Sequence, residues 1–306
     1  MEIVVHDTVS QLAALLDRPI AERPDALREI LAPLEGMFSV MGIPLRATGP
    51  GQWDAVSTHS AGSGFPLDRD DDRYAAALTR MADADVLGRV EQALRHAWHH
   101  QTAATPNIEH SDELNVVTVL GDPDDEHLVN HSGGYFGMGG IPGYIHLVIW
   151  PDERTVDRLG HCAVHELNHN LRYANVAWDP ATVTVGEGVV AEGLAEAYVR
   201  ELHGNHGLHP WGTRPSESEL DDAYEKITSD IDLAGMQHFT PYVHGDTVAN
   251  RMGAGPVGLP DHAGYDVGLR IVDAHLRATG YSAAASTALP VHDILTNAGI
   301  RHTADR

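Results

Sequence analysis

Residues 155–173 place a demand on the fold that few architectures meet. Leu159, Val164, Leu167 and Leu171 give the stretch the apolar period of a packed helix, yet the same stretch carries His161, His165, Glu166 and His169. His165 and His169 are four apart, so both imidazoles project from one helical face and can share a single metal ion. Glu166 lies between them, placed to receive a proton from an attacking water. Histidine supplies 21 of 306 residues. The His-Glu-x-x-His pattern is therefore expected by chance at about 0.08 copies in such a chain, which makes it informative but leaves it in need of support from its surroundings.

A tetrahedral catalytic zinc takes three protein ligands and keeps its fourth position open. The helix expected over 184–203 starts at Thr184, with Glu187 at capping-box spacing, and is stopped by Gly204. It offers Glu187, Glu192 and Glu196. The last two share a face alongside Val189 and Tyr198, and one as ligand with the other as partner to a ligand imidazole accounts for both. Two solvated glutamates on a polar face remain the competing reading of that spacing. His161 cannot share an ion with His169, since the two stand about 12 Å apart along the axis. His161 is expected beside the site or in packing, and Cys162 as a small buried residue.

Around these helices the pattern predicts strands at Glu2–Val5, Leu114–Leu120 and Tyr144–Trp150, with a glycine-rich loop over 133–140. Leu12, Leu15 and Leu16, then Leu27, Ile30, Leu31 and Leu34, fit helical spacing. One long helix is expected from Tyr74 to His100, another from Gly264 to Thr279 and a short one after Pro290, while 205–263 reads as loops around one short helix. The acidic run Asp68–Asp72 reads as a solvated helix start, and His96, Trp98, His99 and His100 as residues of a helix end rather than ligands.

Charge narrows the partners. Twenty basic residues face 44 acidic ones, a net −24 with histidine neutral, which excludes the cationic footprint that nucleic acid or an anionic membrane requires. The single cysteine excludes a disulfide framework and any Cys-rich zinc module. No apolar run approaches the roughly 20 residues of a bilayer span, and the first residues lack the basic-then-apolar order of a secretory signal. A cytoplasmic location is the resulting expectation.

The segment His165-Glu166-x-x-His169 followed by Glu192-Gly193-Leu194-Ala195-Glu196 resembles the gluzincins, zinc metallopeptidases whose third ligand is a glutamate on a following helix. More narrowly, the chain is similar to the YjaZ-like family of predicted zinc-dependent proteases. The similarity rests on Gly139–Tyr144, HELNHNLR (165–172), EGLAEAY (192–198), Gly264-Tyr265-x-x-Gly268 and LPVHDIL (289–295), and spans about residues 114–296. It implies an α+β, zincin-like metallopeptidase fold with a mixed β-sheet and helices in an N-terminal lobe and a mainly helical C-terminal lobe.

One Zn2+ would sit at the cleft floor, held by His165, His169 and Glu192, with Glu166 as general base, Glu196 and His161 beside the ligands, and Tyr144–Trp150 as the cleft's upper edge. Tyr265 is the expected oxyanion donor, followed by His262 and His244, with Tyr242 a further candidate. The expected organisation is an N-terminal helical and loop region, 1–113, packed on a catalytic domain, 114–306, whose active-site and third-ligand helices are 155–173 and 184–203. The expected activity is peptide-bond hydrolysis. Its alternatives are a zinc amidase acting on a small metabolite and a non-catalytic, His-rich metal-binding protein.

Overall fold

A computed structural model describes residues 1–49, 51–208 and 215–301. They divide into two compact units, residues 1–98 with 110–170, and residues 99–109 with 171 onward. The division expected at 113 falls inside a strand.

The first unit is mixed α/β. Strand β1 (Glu2–Val5) leads into α1 (Thr8–Leu16), α2 (Arg23–Leu31), α3 (Glu35–Val40), α4 (Ala55–Ala61), α5 (Asp72–Asp83) and α6 (Val86–Ala104). Then come β2 (Glu113–Leu120), β3 (Tyr135–Met138), β4 (Tyr144–Ile149) and α7 (Thr155–Asn175). The sheet has the order β1-β2-β4-β3, with β3 alone antiparallel to its neighbour. Val116 of β2 lies opposite Val5 on one side and Ile145 on the other. Strands covered on both faces read as near-continuous apolar runs, which is why β2 and β4 stand out in the sequence. Side chains of β4 alternate: Tyr144 lies over Gly36, whereas Gly137, in register with Leu147, faces Glu166 of α7.

Short polar side chains start the helices. Asp7, Asp54 and Asp71 accept backbone N–H bonds at the heads of α1, α4 and α5, so the acidic run at 68–72 is a helix start, with Asp70 also paired to Arg23. The single helix expected over 74–100 is two. At Asp85 the backbone turns left-handed (φ +49°), and the missing side chain of Gly88 leaves room for the Asp85 carboxylate over the first turn of α6.

The expectation for the sheet edge also needs correction. Strand β4 is interior, and the edge on its side of the sheet is β3, inside the stretch expected to be a glycine-rich loop. Glycine weakens strand propensity, so the ladder with β4 is invisible locally.

The second unit is mainly helical. It contains the end of α7, then α8 (Val185–His203), α9 (Glu217–Ser229), α10 (Phe239–Val243), α11 (Asp246–Arg251), α12 (Ala263–Thr279), α13 (Ala283–Ser286) and α14 (Val291–Asn297). Among the described residues three α-helices and two single 3-10 turns thus occupy the segment 205–263, expected to hold one short helix; residues 209–214 lie outside the described residues. Helices α8 and α12 meet backbone to backbone. A Cβ on Gly193 would stand 2.2 Å from Gly268, and one on Gly268 would stand 2.1 Å from the Val189 carbonyl oxygen. The glycines of the EGLAEAY and Gly-Tyr-x-x-Gly segments are therefore demanded by helix packing. Among the described residues no helix is long and apolar enough to cross a membrane.

Two histidines of the first unit are buried where a charge finds no compensation. His59 of α4, 2% exposed, is held down to about 4 by burial, and its Nε2 lies 3.0 Å from the Phe65 carbonyl oxygen. His146 of β4 is held down to about 3, by burial first and then by the neighbouring His59. Both fall below the ordinary 6.5, so the unfolded chain binds these protons first as pH drops. Their stabilisation is complete above 6.5 and is lost on acidification, at about 1.4 kcal/mol per pH unit for each histidine, until the folded values are reached. The urea midpoint is expected to be flat above about pH 7 and to fall steeply between about pH 6.5 and 4. In His146→Gln that fall is expected to be shallower.

Candidate metal centre

Helix α7 begins with a reciprocal cap. The Asp152 carboxylate accepts from the N–H groups of Arg154 and Thr155, both at 2.8 Å, while the Thr155 hydroxyl accepts from the Asp152 N–H at 2.7 Å. From there the helix runs into the interior. Glu166, Asn168, His169, Asn170 and Arg172 are all buried, interleaved with Val164, Leu167 and Leu171. So dense a run of buried polar side chains is stable only where each has partners.

His165 and His169 present their imidazoles edge to face, centroids 4.7 Å apart, with the two Nε2 atoms separated by 3.0 Å. Two nitrogen ligands at about 2.05 Å from a tetrahedral ion stand about 3.3 Å apart, so the pair is already spaced for one. One ligand atom from each of His165, His169 and Glu192 lies within 4.8 Å of the others, with His169 and Glu192 buried and His165 half-buried. This is the one such group among the described residues. Two imidazole nitrogens and a carboxylate oxygen are the donor set of a catalytic zinc site with an open position, so the residues present fit the ion.

Glu166 is buried, and its side chain packs against the backbone of β3 at Gly137. Glu196 is also buried, one turn after Glu192 on α8, and its charge helps to hold the Arg200 guanidinium protonated, after the larger effect of the Asp273 carboxylate. His161 is half-buried on α7. Tyr265 and His262 lie in the second unit around His244: the Tyr265 hydroxyl is 3.4 Å from His244 Nδ1, and the His262 N–H donates to the His244 carbonyl at 3.1 Å. His262 holds a left-handed backbone (φ +61°) just before α12. Neither residue belongs to the metal-binding group. Thr184 caps α8, accepting from the Glu187 N–H at 3.1 Å. The Glu187 carboxylate does not close the expected box, because it turns to Arg172.

Two residues close in sequence to His169 carry structural weight that spacing does not signal. Asn170 donates to the carbonyl oxygens of Gly139 (2.7 Å), Ile141 (3.1 Å) and Tyr144 (2.8 Å) and accepts from the Gly143 N–H (2.7 Å). It therefore pins the bend between β3 and β4 onto α7. Arg172, fully buried, forms a two-pronged ion pair with Glu187 at 2.6 and 2.7 Å and donates to the carbonyls of Thr287 and Leu289. The one available signal is a pair of polar residues one and three positions after His169 in an apolar helix.

Removing one partner strands the other. Arg172→Ala leaves a buried Glu187 carboxylate and is expected to cost about 3–5 kcal/mol, whereas the paired change Arg172→Met with Glu187→Leu costs far less. Asn170→Asp brings an acidic oxygen against three carbonyls and is expected to destabilise more than Asn170→Ala. Urea unfolding of the four variants checks both orderings.

Comparison with known proteins agrees with this chemistry. Residues 93–296 match the family described as "Predicted Zn-dependent protease (DUF2268)". The chain is 30% identical over 304 residues to an uncharacterised Bacillus subtilis (strain 168) protein, YjfC, the alignment covering 99% of this chain and 100% of that protein. No solved structure matches. With the family match extending over two thirds of its length and the His-His-Glu group inside the matched region, the chain belongs to the DUF2268 family of predicted Zn-dependent proteases.

Proposed function

We propose that the protein is a zinc metallopeptidase of gluzincin type, holding one Zn2+ per chain through His165, His169 and Glu192, with the narrower YjaZ-like relationship part of the same reading. The observation that carries it is the His-His-Glu group with a buried glutamate enclosed between the two histidines in sequence. Bound there, zinc supplies Lewis acidity towards the scissile carbonyl and lowers the pKa of water. Glu166 accepts the proton of the attacking water and passes it to the leaving nitrogen. Glu196 orients a ligand imidazole, and His161 packs beside the ligands. The Tyr265 hydroxyl donates to the developing oxyanion, with His262 the next candidate for that donor.

A polypeptide substrate is supported by the sheet. Among the described residues β3 stands at the end of the sheet order, beside β4, and it is the strand in contact with Glu166, so an extended peptide can add along its outer edge. The mixed α/β first unit and helical second unit suit a zincin-like architecture.

Metal analysis of wild type, Glu192→Ala and Glu166→Gln, with hydrolysis of a fluorescently labelled unfolded polypeptide, tests the assignment. Wild type and Glu166→Gln are expected to carry one zinc per chain, and Glu192→Ala to lose it. The rate in Glu166→Gln is expected to fall about 10²–10⁴-fold. Full activity in Glu166→Gln, or zinc content indifferent to Glu192, overturns the mechanism. Cleavage of small amides with none of polypeptides overturns the peptidase assignment alone.

A further inference from the structure

The glycines of the segment at β3 face α7 for a reason that is not conformational. Gly137 and Gly139 are absent from the residues with positive φ, and Gly137 sits in ordinary antiparallel register with Leu147. Glycine in such a backbone weakens the strand, so its presence marks a close approach. A Cβ on Gly139 would stand 2.4 Å from the backbone oxygen of Glu166 and 2.7 Å from its Cβ. A Cβ on Gly137 would stand 2.5 Å from Glu166 Cγ, 2.7 Å from Oε1 and 2.8 Å from Cδ. One glycine thus accommodates the helix backbone, and the other accommodates the carboxylate arm.

We infer that Gly137 is a positioning residue for Glu166: the absence of a side chain at this point of the edge strand opens the slot in which the carboxylate arm lies, and the β3 backbone is its wall. A glutamate arm in open space samples several rotamers. A proton acceptor must stay within hydrogen-bond reach of the proton it takes, and a misplacement of about 1 Å costs about a hundredfold in rate. The wall narrows the arm's choices without supplying a competing hydrogen-bonding side chain. The inference rests on the reading of Glu166 as general base only for its kinetic consequence; the geometric part stands by itself.

The two glycines give opposite expectations. Alanine at 139 collides with helix backbone, so strand and helix must separate. Alanine at 137 collides with the Glu166 side chain from Cγ to Oε1 and with no backbone atom among its three nearest neighbours, so a change of rotamer at Glu166 can relieve the clash and leave the fold intact. The test uses the full chain, zinc-loaded, as wild type, Gly137→Ala and Gly139→Ala, with thermal unfolding, zinc content, crystal structures, and kcat and KM on a labelled polypeptide.

Gly137→Ala is expected to melt within a few degrees of wild type and to keep its zinc. Its Glu166 carboxylate is expected to move by about 1 Å or more, and kcat to fall about a hundredfold with KM little changed. Gly139→Ala is expected to lose much more thermal stability. A carboxylate that stays in place in Gly137→Ala, a displaced one with unchanged kcat, or a loss of stability equal to that of Gly139→Ala overturns the inference. If wild type itself hydrolyses nothing, the proposed function fails while the carboxylate's position in the two crystal structures still decides the positioning claim.

Discussion

The hydrogen-bonding side chains buried along α7 are what the neighbouring elements are arranged around. A helix that takes asparagine, arginine and glutamate out of water is stable only if other parts of the chain bring acceptors and donors to them. Asn170 gathers three carbonyls and one N–H of the bend between β3 and β4. Arg172 gathers Glu187 and two carbonyls of the segment before α14. These anchors fix the turn of α7 that directly follows His169, one of the two histidines of the candidate metal group.

What was legible in the sequence was local. The four-residue spacing of His165 and His169, the shared face of Glu192 and Glu196, the Thr184 cap and the apolar runs of β2 and β4 all express relations between residues a few positions apart, which helical and strand periodicity make visible. What was hidden depends on distant partners. Asn170 bonds residues 26–31 positions away and Arg172 bonds backbone 115 and 117 positions away, so neither has a local signature. Strand β3 was hidden for a different reason: its identity comes from the ladder with β4, and its glycine comes from a close approach to Glu166. The break at Asp85 was missed because an aspartate in a left-handed backbone looks in sequence like any other helical aspartate.

The ion pairs divide by environment rather than by number. Arg73 first and then Arg69 pair with Asp124 at the surface and hold its carboxyl down to about 2, yet exposed pairs of this kind contribute little to stability. Arg172 with Glu187 has no water to fall back on, so its geometry is enforced. With 44 acidic residues against 20 basic ones, the unpaired remainder gives the chain an anionic field that repels polyanions and favours neutral or cationic ligands.

Strand β3 has a second face to its role as an edge. A strand at the edge of a sheet that can receive an extended peptide can equally receive another copy of the chain, and edges of this kind are where β proteins self-associate. This edge is four residues long and includes Gly137, which lowers its strand propensity. So short a template offers a peptide a landing place while giving a sister molecule too few consecutive hydrogen bonds to lock onto.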